Sequence, residues 1–262
     1  MIITSDWQPN LYLAFGKERT QPSIDLAARI NKDDPKRIID IGCGPGNSTN
    51  VLKVRWTQAE IVGLDNSEAM INEAKSKYPA INWIQADASD DLDKLGKFDI
   101  VFSNAAIQWI PNHKILLTNL FGMLNNDGVL AVQVPCTKYM PINTELIKLT
   151  SNGKWKNHFT NISSTYSVHT ADFYYNILCG LTAEIDLWET NYFHIMNTHS
   201  EIVKWYSGSG LRPYLDCLKD DFTKNKFVKE YENALKEVYP VQSDGKILFP
   251  FTRIFFIVKK SD

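Results

Sequence analysis

Cysteine pairs, net charge and long apolar runs are all scarce in this chain of 262 residues. Its four cysteines, Cys43, Cys136, Cys179 and Cys217, form no CxxC pair. That spacing argues against a zinc site or a disulfide scaffold and favours reduced thiols. The net charge is only −2 and no run of about 18 apolar residues occurs, so neither nucleic acid nor membrane is an expected partner. Residues 1–10 also lack the basic and apolar regions of a signal peptide, so we expect a cytoplasmic protein. The cysteine spacing leads us to expect no bound metal.

Short apolar segments alternate with helical segments over the first half of the chain. The predicted strands are 37–41, 60–64, 82–86, 98–102 and 128–134. This βαβ alternation indicates parallel strands with helices on both faces, and 184–196 and 246–260 are expected to add two late strands. We therefore predict an α/β fold: a Rossmann-like, doubly wound sheet of seven strands, mostly parallel, with a C-terminal antiparallel strand. The chain, 1–262, is expected to form one domain that carries 137–166 and 199–240 as a helical lid or acceptor-site insertions.

A glycine-rich loop directly after the first predicted strand is the strongest local signal. It reads Asp40-Ile41-Gly42-Cys43-Gly44-Pro45-Gly46 and leads into a helix at Asn47. Glycine permits a tight turn and close approach of the backbone to a ligand, and the helix start offers N–H groups. A dinucleotide loop spaces its glycines GxGxxG and binds a pyrophosphate, which an acid would repel. The DxGxGxG spacing instead suits the ammonium group of an amino-acid-like ligand and argues against an NAD-dependent dehydrogenase.

Acidic residues also follow the second and third predicted strands. Asp65 is placed to accept the two hydroxyls of a ribose, and Asp87 with Ala88 to hold an adenine amino group. Ammonium, ribose and adenine without phosphate describe S-adenosylmethionine. Three N-terminal aromatic residues, Trp7, Tyr12 and Phe15, either pack on the core or close over this cofactor. The expected cofactor-binding residues are Asp40, Gly42, Cys43, Gly44, Gly46, Asn47, Asp65, Asn66, Met70, Asp87, Ala88, Asn104, Trp109, Trp7 and Tyr12.

The glycine loop, Asp65, Asp87 and Asn104 resemble class I methyltransferases over residues 35–135. A closer resemblance, over nearly the whole chain, is to the trans-aconitate 2-methyltransferase family. It is carried by DWQPNLY at 6–12, GCGPGNST at 42–49, NAAIQWIP at 104–111, GVLAVQ at 128–133 and GLRP at 210–213. The resemblance implies transfer of a methyl group from S-adenosylmethionine to a carboxylate of trans-aconitate, giving a monomethyl ester and S-adenosylhomocysteine. Residues 137–166 match no pattern of that family.

A carboxylate acceptor has a pKa near 4 and is ionised at neutral pH, so this reaction needs no catalytic base. A small polycarboxylate does need local cations in a chain of net charge −2, and arginine binds carboxylates in bidentate fashion. The acceptor-binding candidates are Arg19, Arg212 and Arg253, followed by His194 and Tyr192. Two alternatives to this reading stay open. In the first, the chain is a methyltransferase for another carboxylic acid or small molecule. In the second, it is a non-catalytic cofactor-binding interaction module.

Overall fold

The computed structural model describes residues 16–160, 162 and 166–261. Its strands are β1 (Arg37–Ile41), β2 (Glu60–Asp65), β3 (Asn82–Gln85), β4 (Phe98–Asn104), β5 (Leu124–Pro135), β6 (Ile185–Met196) and β7 (Ile247–Lys259). Its helices are α1 (Gly16–Arg29), α2 (Asn47–Arg55), α3 (Glu68–Lys77), α4 (His113–Gly122), α5 (Pro141–Ser151), α6 (Ala171–Leu178), α7 (His199–Ser207), α8 (Arg212–Cys217) and α9 (Asp221–Val238). Short 3-10 turns span Asp93–Leu95, Ile107–Trp109 and Gly153–His158.

The seven strands form one sheet in the order β3-β2-β1-β4-β5-β7-β6. Strands β1 to β5 pair in parallel. Along β5 and β7 the pairing runs in opposite directions, because Asp127 N–H donates to Lys260 whereas Cys136 N–H donates to Thr252. The predicted fold class is confirmed, and β7 is the antiparallel strand. The strand order reverses between β1 and β4, the point at which ligands bind beyond the carboxyl ends of such sheets.

Apolar side chains on both faces of the central strands explain why these segments form the middle of the sheet. Ile38, Ile39 and Phe102 are fully buried, and burial of each such side chain contributes roughly 1.5–3 kcal/mol. Helix α3 is capped by Ser67, whose hydroxyl accepts a hydrogen bond from the N–H of Met70 at 3.2 Å. Among the described residues, no helix combines the length and apolar character needed to cross a membrane.

Two compact units make up the chain. The first holds the residues up to Val134, Ala171–Glu189 and the residues from Ile254 onward, and the second holds Pro135–Thr170 and Thr190–Arg253. Both predicted insertions, 137–166 and 199–240, fall within the second unit. Their action as a lid stays a prediction.

Strand β5 differs from its predicted bounds. It runs from Leu124 to Pro135 and therefore begins four residues before the predicted strand 128–134. There the β4–β5 register shifts and Asp127 adopts a φ of 62°, so the polar residues are absorbed as an irregularity in the strand. Within the predicted insertion 137–166 the structure has α5 and the turn Gly153–His158. Helix α8 begins at Arg212 and lies within the predicted insertion 199–240.

Candidate cofactor site

A cavity lies at the carboxyl ends of the parallel strands of the first unit. Nine of the expected cofactor-binding residues line it: Gly42, Gly44, Asp65, Asn66, Met70, Asp87, Ala88, Asn104 and Trp109. Sequence reasoning missed other lining residues, including Pro45, Ser89, Ala105, Ala106, Ile110 and Pro111. Most of these are apolar residues in loops next to predicted site residues. All but Ser89 also lie within the motifs GCGPGNST at 42–49 and NAAIQWIP at 104–111, which could have pointed to them.

The glycine loop turns sharply because its glycines adopt backbone conformations that other residues disfavour. Gly42, Gly44 and Gly46 have φ values of 70°, 54° and 89°. The N–H groups of Gly42 and Cys43 both donate to the carbonyl of Leu64, at 2.7 and 3.0 Å, which ties the loop to the end of β2. A Cβ at Gly42 would lie 2.1 Å from the Cβ of Ala106, so the loop packs directly against the segment that follows β4.

The carboxylate of Asp65, the last residue of β2, is held by backbone groups on both of its oxygens. Gly44 N–H donates to Oδ2 and Ser67 N–H donates to Oδ1, each at 2.9 Å. These bonds connect the glycine loop to the start of α3 through one side chain. The carboxylate lines the cavity, and each oxygen has a further lone pair with which to accept a hydrogen bond.

Asp87 lies in the loop after β3 and also lines the cavity. Partial burial raises its pKa, but hydrogen bonds from the side chain and backbone of Ser89 and from the Asn66 side chain outweigh that effect and leave the pKa below its ordinary value. Two of these bonds, from Ser89 Oγ and N–H, reach Oδ1 at 2.6 and 2.8 Å. The side chain is therefore an ionised hydrogen-bond acceptor at neutral pH.

At the end of β4, Asn104 places a buried amide beside the cavity. It is 6% exposed, and its Oδ1 accepts no hydrogen bond from the described residues. Buried polar atoms usually have partners, so such an oxygen in a cavity wall is suited to a ligand with a hydrogen-bond donor. Ser103 fixes the neighbouring end of β1, since its hydroxyl donates to the carbonyl of Ile41 at 2.8 Å.

Asp40, one of the expected cofactor-binding residues, is not among the residues that line the cavity. It precedes the last residue of β1 and is fully buried, and Ser48 and Thr49 of α2 donate to its Oδ2 at 2.6 and 2.7 Å. Burial raises its pKa to about 6, against those two hydrogen bonds, and the charge of Asp65 adds to the rise. The side chain anchors α2 behind the loop.

Three further residues of the expected set do not line the cavity. Cys43 packs in a cluster with Ile71, Ala74 and Trp83 and is 3% exposed. Burial and then the charges of Asp40 and Asp65 raise the pKa of its thiol well above the ordinary value, so the neutral thiol packs as a small apolar group. The other two begin α2: Gly46 is its N-cap, and the Asn47 side chain accepts from Lys77 at 3.1 Å. Trp7, Tyr12 and Phe15 lie outside the described residues.

None of the described acceptor candidates lines this cavity. Tyr192, His194, Arg212 and Arg253 belong to the second unit, and Arg19 belongs to the first. The structure brings two of them together, because the Arg253 guanidinium lies 5.9 Å from the ring centroid of Tyr192. Arg253 is 4% exposed and also lies 4.8 Å from the ring centroid of Phe251.

His194 and Arg212 occupy different surroundings in the second unit. The ring of His194 packs 4.5 Å from that of Trp205, with Phe249 and Phe251 beyond it. That position is typical of a core residue. Arg212 pairs with Asp216 one turn along α8, at 3.6 Å, which compensates part of its charge.

Comparisons with known proteins agree with this geometry. The family model of a methyltransferase domain matches residues 32–207. Trans-aconitate 2-methyltransferase of Escherichia coli strain K12 is 37% identical over 260 residues, covering 98% of this chain and 100% of that protein. Among solved structures, the YcgJ protein from Bacillus subtilis aligns with a TM-score of 0.61 and 14% identity over 92% of this chain and 99% of its own. Phosphoethanolamine N-methyltransferase 2 from Haemonchus contortus, in complex with S-adenosylhomocysteine, aligns with a TM-score of 0.57 and 16% identity over 92% of this chain and 53% of its own.

Proposed function

We propose, on the premise that this chain belongs to the trans-aconitate 2-methyltransferase family, that it is an S-adenosylmethionine-dependent enzyme that methylates a carboxylate of trans-aconitate. The products are a monomethyl ester and S-adenosylhomocysteine. The observation that carries the proposal is the convergence of Gly44, Asp65 and Asp87 on one cavity, in a chain similar to these enzymes over 98% of its length.

The cavity residues fit S-adenosylmethionine, which when bound supplies a methyl group on a positively charged sulfur. Two carboxylates and no lysine or arginine are among the described residues that line the cavity, so its electrostatic potential suits a cation. The buried Oδ1 of Asn104 is an acceptor suited to the ammonium group. Asp65 would accept the ribose hydroxyls, and Asp87 would accept from the adenine amino group.

A carboxylate acceptor is already ionised at neutral pH, so the protein need not remove a proton. Its residues contribute by orienting the carboxylate oxygen toward the methyl group and by excluding water. Arg253 is our first candidate for holding the acceptor, because a guanidinium buried against two aromatic rings suits an anionic ligand. Arg212 is the second candidate, followed by Arg19, Tyr192 and His194.

The test is a methyl-transfer assay with labelled S-adenosylmethionine and a panel of acceptors: trans-aconitate, cis-aconitate, isocitrate, citrate, a fatty acid and an RNA. Selective methylation of trans-aconitate is the expected result. Selective turnover of another acid would contradict the acceptor and leave the methyltransferase activity. Binding of S-adenosylhomocysteine with no turnover on any acceptor would favour a non-catalytic interaction module.

The remaining parts of the proposal concern partners and location. The partner is a small carboxylate, and we propose no nucleic-acid or membrane partner, which the RNA arm of the panel tests in part. We also propose a cytoplasmic location, supported by the four free cysteines of the structure. Recovery of the protein in a secreted or membrane fraction would contradict it.

A further inference from the structure

The turn after β4 carries backbone strain beside the cofactor cavity. Ala105 has a φ of 53°, in the left-handed region, which disfavours an L-residue by about 5- to 30-fold in population. This residue and its neighbour Ala106 both line the cavity. Strain of this kind persists only where surrounding contacts impose it, and it is concentrated at functional sites.

Two hydrogen bonds hold Ala105 in this conformation. Its N–H donates to the carbonyl of Gln133 at 2.9 Å, where the pairing of β4 with β5 ends. Its carbonyl accepts from Nε2 of Gln108 at 2.6 Å. The first bond is between backbone groups and is independent of the side chains, whereas the second depends on the identity of residue 108.

Burial of Gln108 costs free energy that its hydrogen bond to the carbonyl of Ala105 offsets only in part. The side chain is 3% exposed, and its Oε1 has no hydrogen-bond partner in the described part of the chain. A buried amide oxygen without a partner destabilises a protein relative to an apolar side chain of the same shape. The orientation of the amide follows from Ala105, since a carbonyl accepts a hydrogen bond from the nitrogen and not from the oxygen.

The position of this turn determines one wall of the cavity. The Cβ of Ala106 lies where a side chain at Gly42 would be, so the turn is in direct contact with the glycine loop. Asn104, which immediately precedes the turn, places its buried Oδ1 beside the same cavity. A turn that relaxed to a right-handed conformation at Ala105 would move both groups.

We propose that Gln108 is a positioning residue for the cofactor site. It holds Ala105 in the left-handed conformation and thereby keeps Asn104 and Ala106 in place against the glycine loop. The inference rests on the proposed function, because the ligand whose binding depends on this turn is S-adenosylmethionine or its product.

The test compares Gln108→Met, which removes the donor at nearly constant volume, with Gln108→Met/Ala105→Gly. Calorimetry with S-adenosylhomocysteine needs no acceptor, and Gln108→Met is expected to raise its Kd by about 5- to 30-fold. Glycine adopts the left-handed conformation without penalty, so the double variant is expected to return the Kd close to that of the wild type. Gln242→Met is the matched control, since the exposed Gln242 donates to the carbonyl of Pro240 at 3.0 Å, and its Kd is expected to be unchanged.

Two results would overturn this inference and leave the proposed function standing. One is a Gln108→Met variant that binds S-adenosylhomocysteine as tightly as the wild type. The other is a double variant that binds it as weakly as the single variant. In the second case Gln108 acts through its packing. If circular dichroism shows Gln108→Met to be unfolded, a folded and binding double variant supports the inference and an unfolded one contradicts it. Failure of the wild type to bind S-adenosylhomocysteine would instead refute the proposed function and this inference with it.

Discussion

Substitution of Asp40 by asparagine is expected to change how stability depends on pH. Burial raises the pKa of this carboxyl from 3.8 to about 6 in the folded protein. The folded state therefore binds the proton more tightly than the unfolded chain. Protonation contributes stability that is complete below about pH 3.8 and is lost as the pH rises through about 6. Asparagine cannot ionise, so Asp40→Asn removes this dependence.

The magnitude follows from the pKa difference between the folded and unfolded states. The rise in pKa from 3.8 to about 6 corresponds to about 3 kcal/mol of stability at most. Between about pH 5 and pH 7.5, the linkage relation gives the wild type a loss of about 1.4 kcal/mol in the free energy of unfolding relative to Asp40→Asn. Any change in the hydrogen bonds to Ser48 and Thr49 is a constant offset, which the pH dependence of the difference does not contain.

Urea denaturation of both proteins across this pH range measures the difference. Asp99→Asn is the control. Its carboxyl is partly buried, which raises the pKa, but hydrogen bonds from Arg37, Asn125 and Lys36 outweigh that effect and lower it. The stability from Asp99 is therefore lost only as the pH falls through an acidic pKa, so its difference from the wild type is expected to stay flat above pH 5. A flat difference for Asp40→Asn as well would refute the argument that burial dominates at this carboxyl.

Three further predictions concern the site. Asp65→Ala is expected to raise the Kd of S-adenosylhomocysteine by about 10- to 100-fold, through lost charged hydrogen bonds. Calorimetry measures this, and an unchanged Kd would remove Asp65 from the site. Arg253→Gln is expected to raise the KM for the acceptor by about 10-fold or more while cofactor affinity stays near normal; if Arg212→Gln alone raises it in the same assay, the cation is Arg212. Gly42→Ala is expected to lower the free energy of unfolding by about 2–5 kcal/mol, since a Cβ there overlaps Ala106 in the turn after β4. Gly44→Ala, in open space, is expected to lower it by about 1–2 kcal/mol, and equal losses in urea denaturation would contradict the steric account.

The positions of the strands along the chain and the place of the glycine loop were predictable because both depend on local sequence. Apolar runs such as 37–41 are buried on both faces. A turn with alternating glycines is typical of a loop whose backbone closely approaches a ligand. Asp65 was predictable for the same reason, since the last residue of a parallel strand lies at the edge where ligands bind. The structure brings it into the cavity wall.

Side-chain direction explains why Asp40, an expected cofactor-binding residue, lies outside the cavity wall. Successive side chains of a strand point to opposite faces, so one position decides whether an acid faces a ligand or a helix. Asp40 is the penultimate residue of β1, and its oxygen meets hydroxyls of α2. No property of the sequence near Cys43 indicated its partners either, because Ile71 and Trp83 come from distant segments.

The bounds of helix α5 within 137–166 were not predictable because its buried face is short and includes a polar residue. Only Ile142, Leu146 and Thr150 are buried, at a spacing of four residues, so the apolar period ends after two positions. The left-handed Ala105 was likewise not predictable, since the bond from Gln108 and the contact with Gly42 impose it from outside the residue.

Because β7 lies between β5 and β6 in the sheet, β6 is synthesised before the strand with which it pairs. Strand β6 ends at Met196, but the strand that joins it to the others begins only at Ile247. Until β7 has been synthesised, β6 has no neighbour to receive its hydrogen bonds, while the five parallel strands already have theirs. Completion of the sheet is therefore expected to be a late event of biosynthesis. Until then the nascent chain carries Phe193 and Ile195, both exposed in the folded protein, on an unpaired strand.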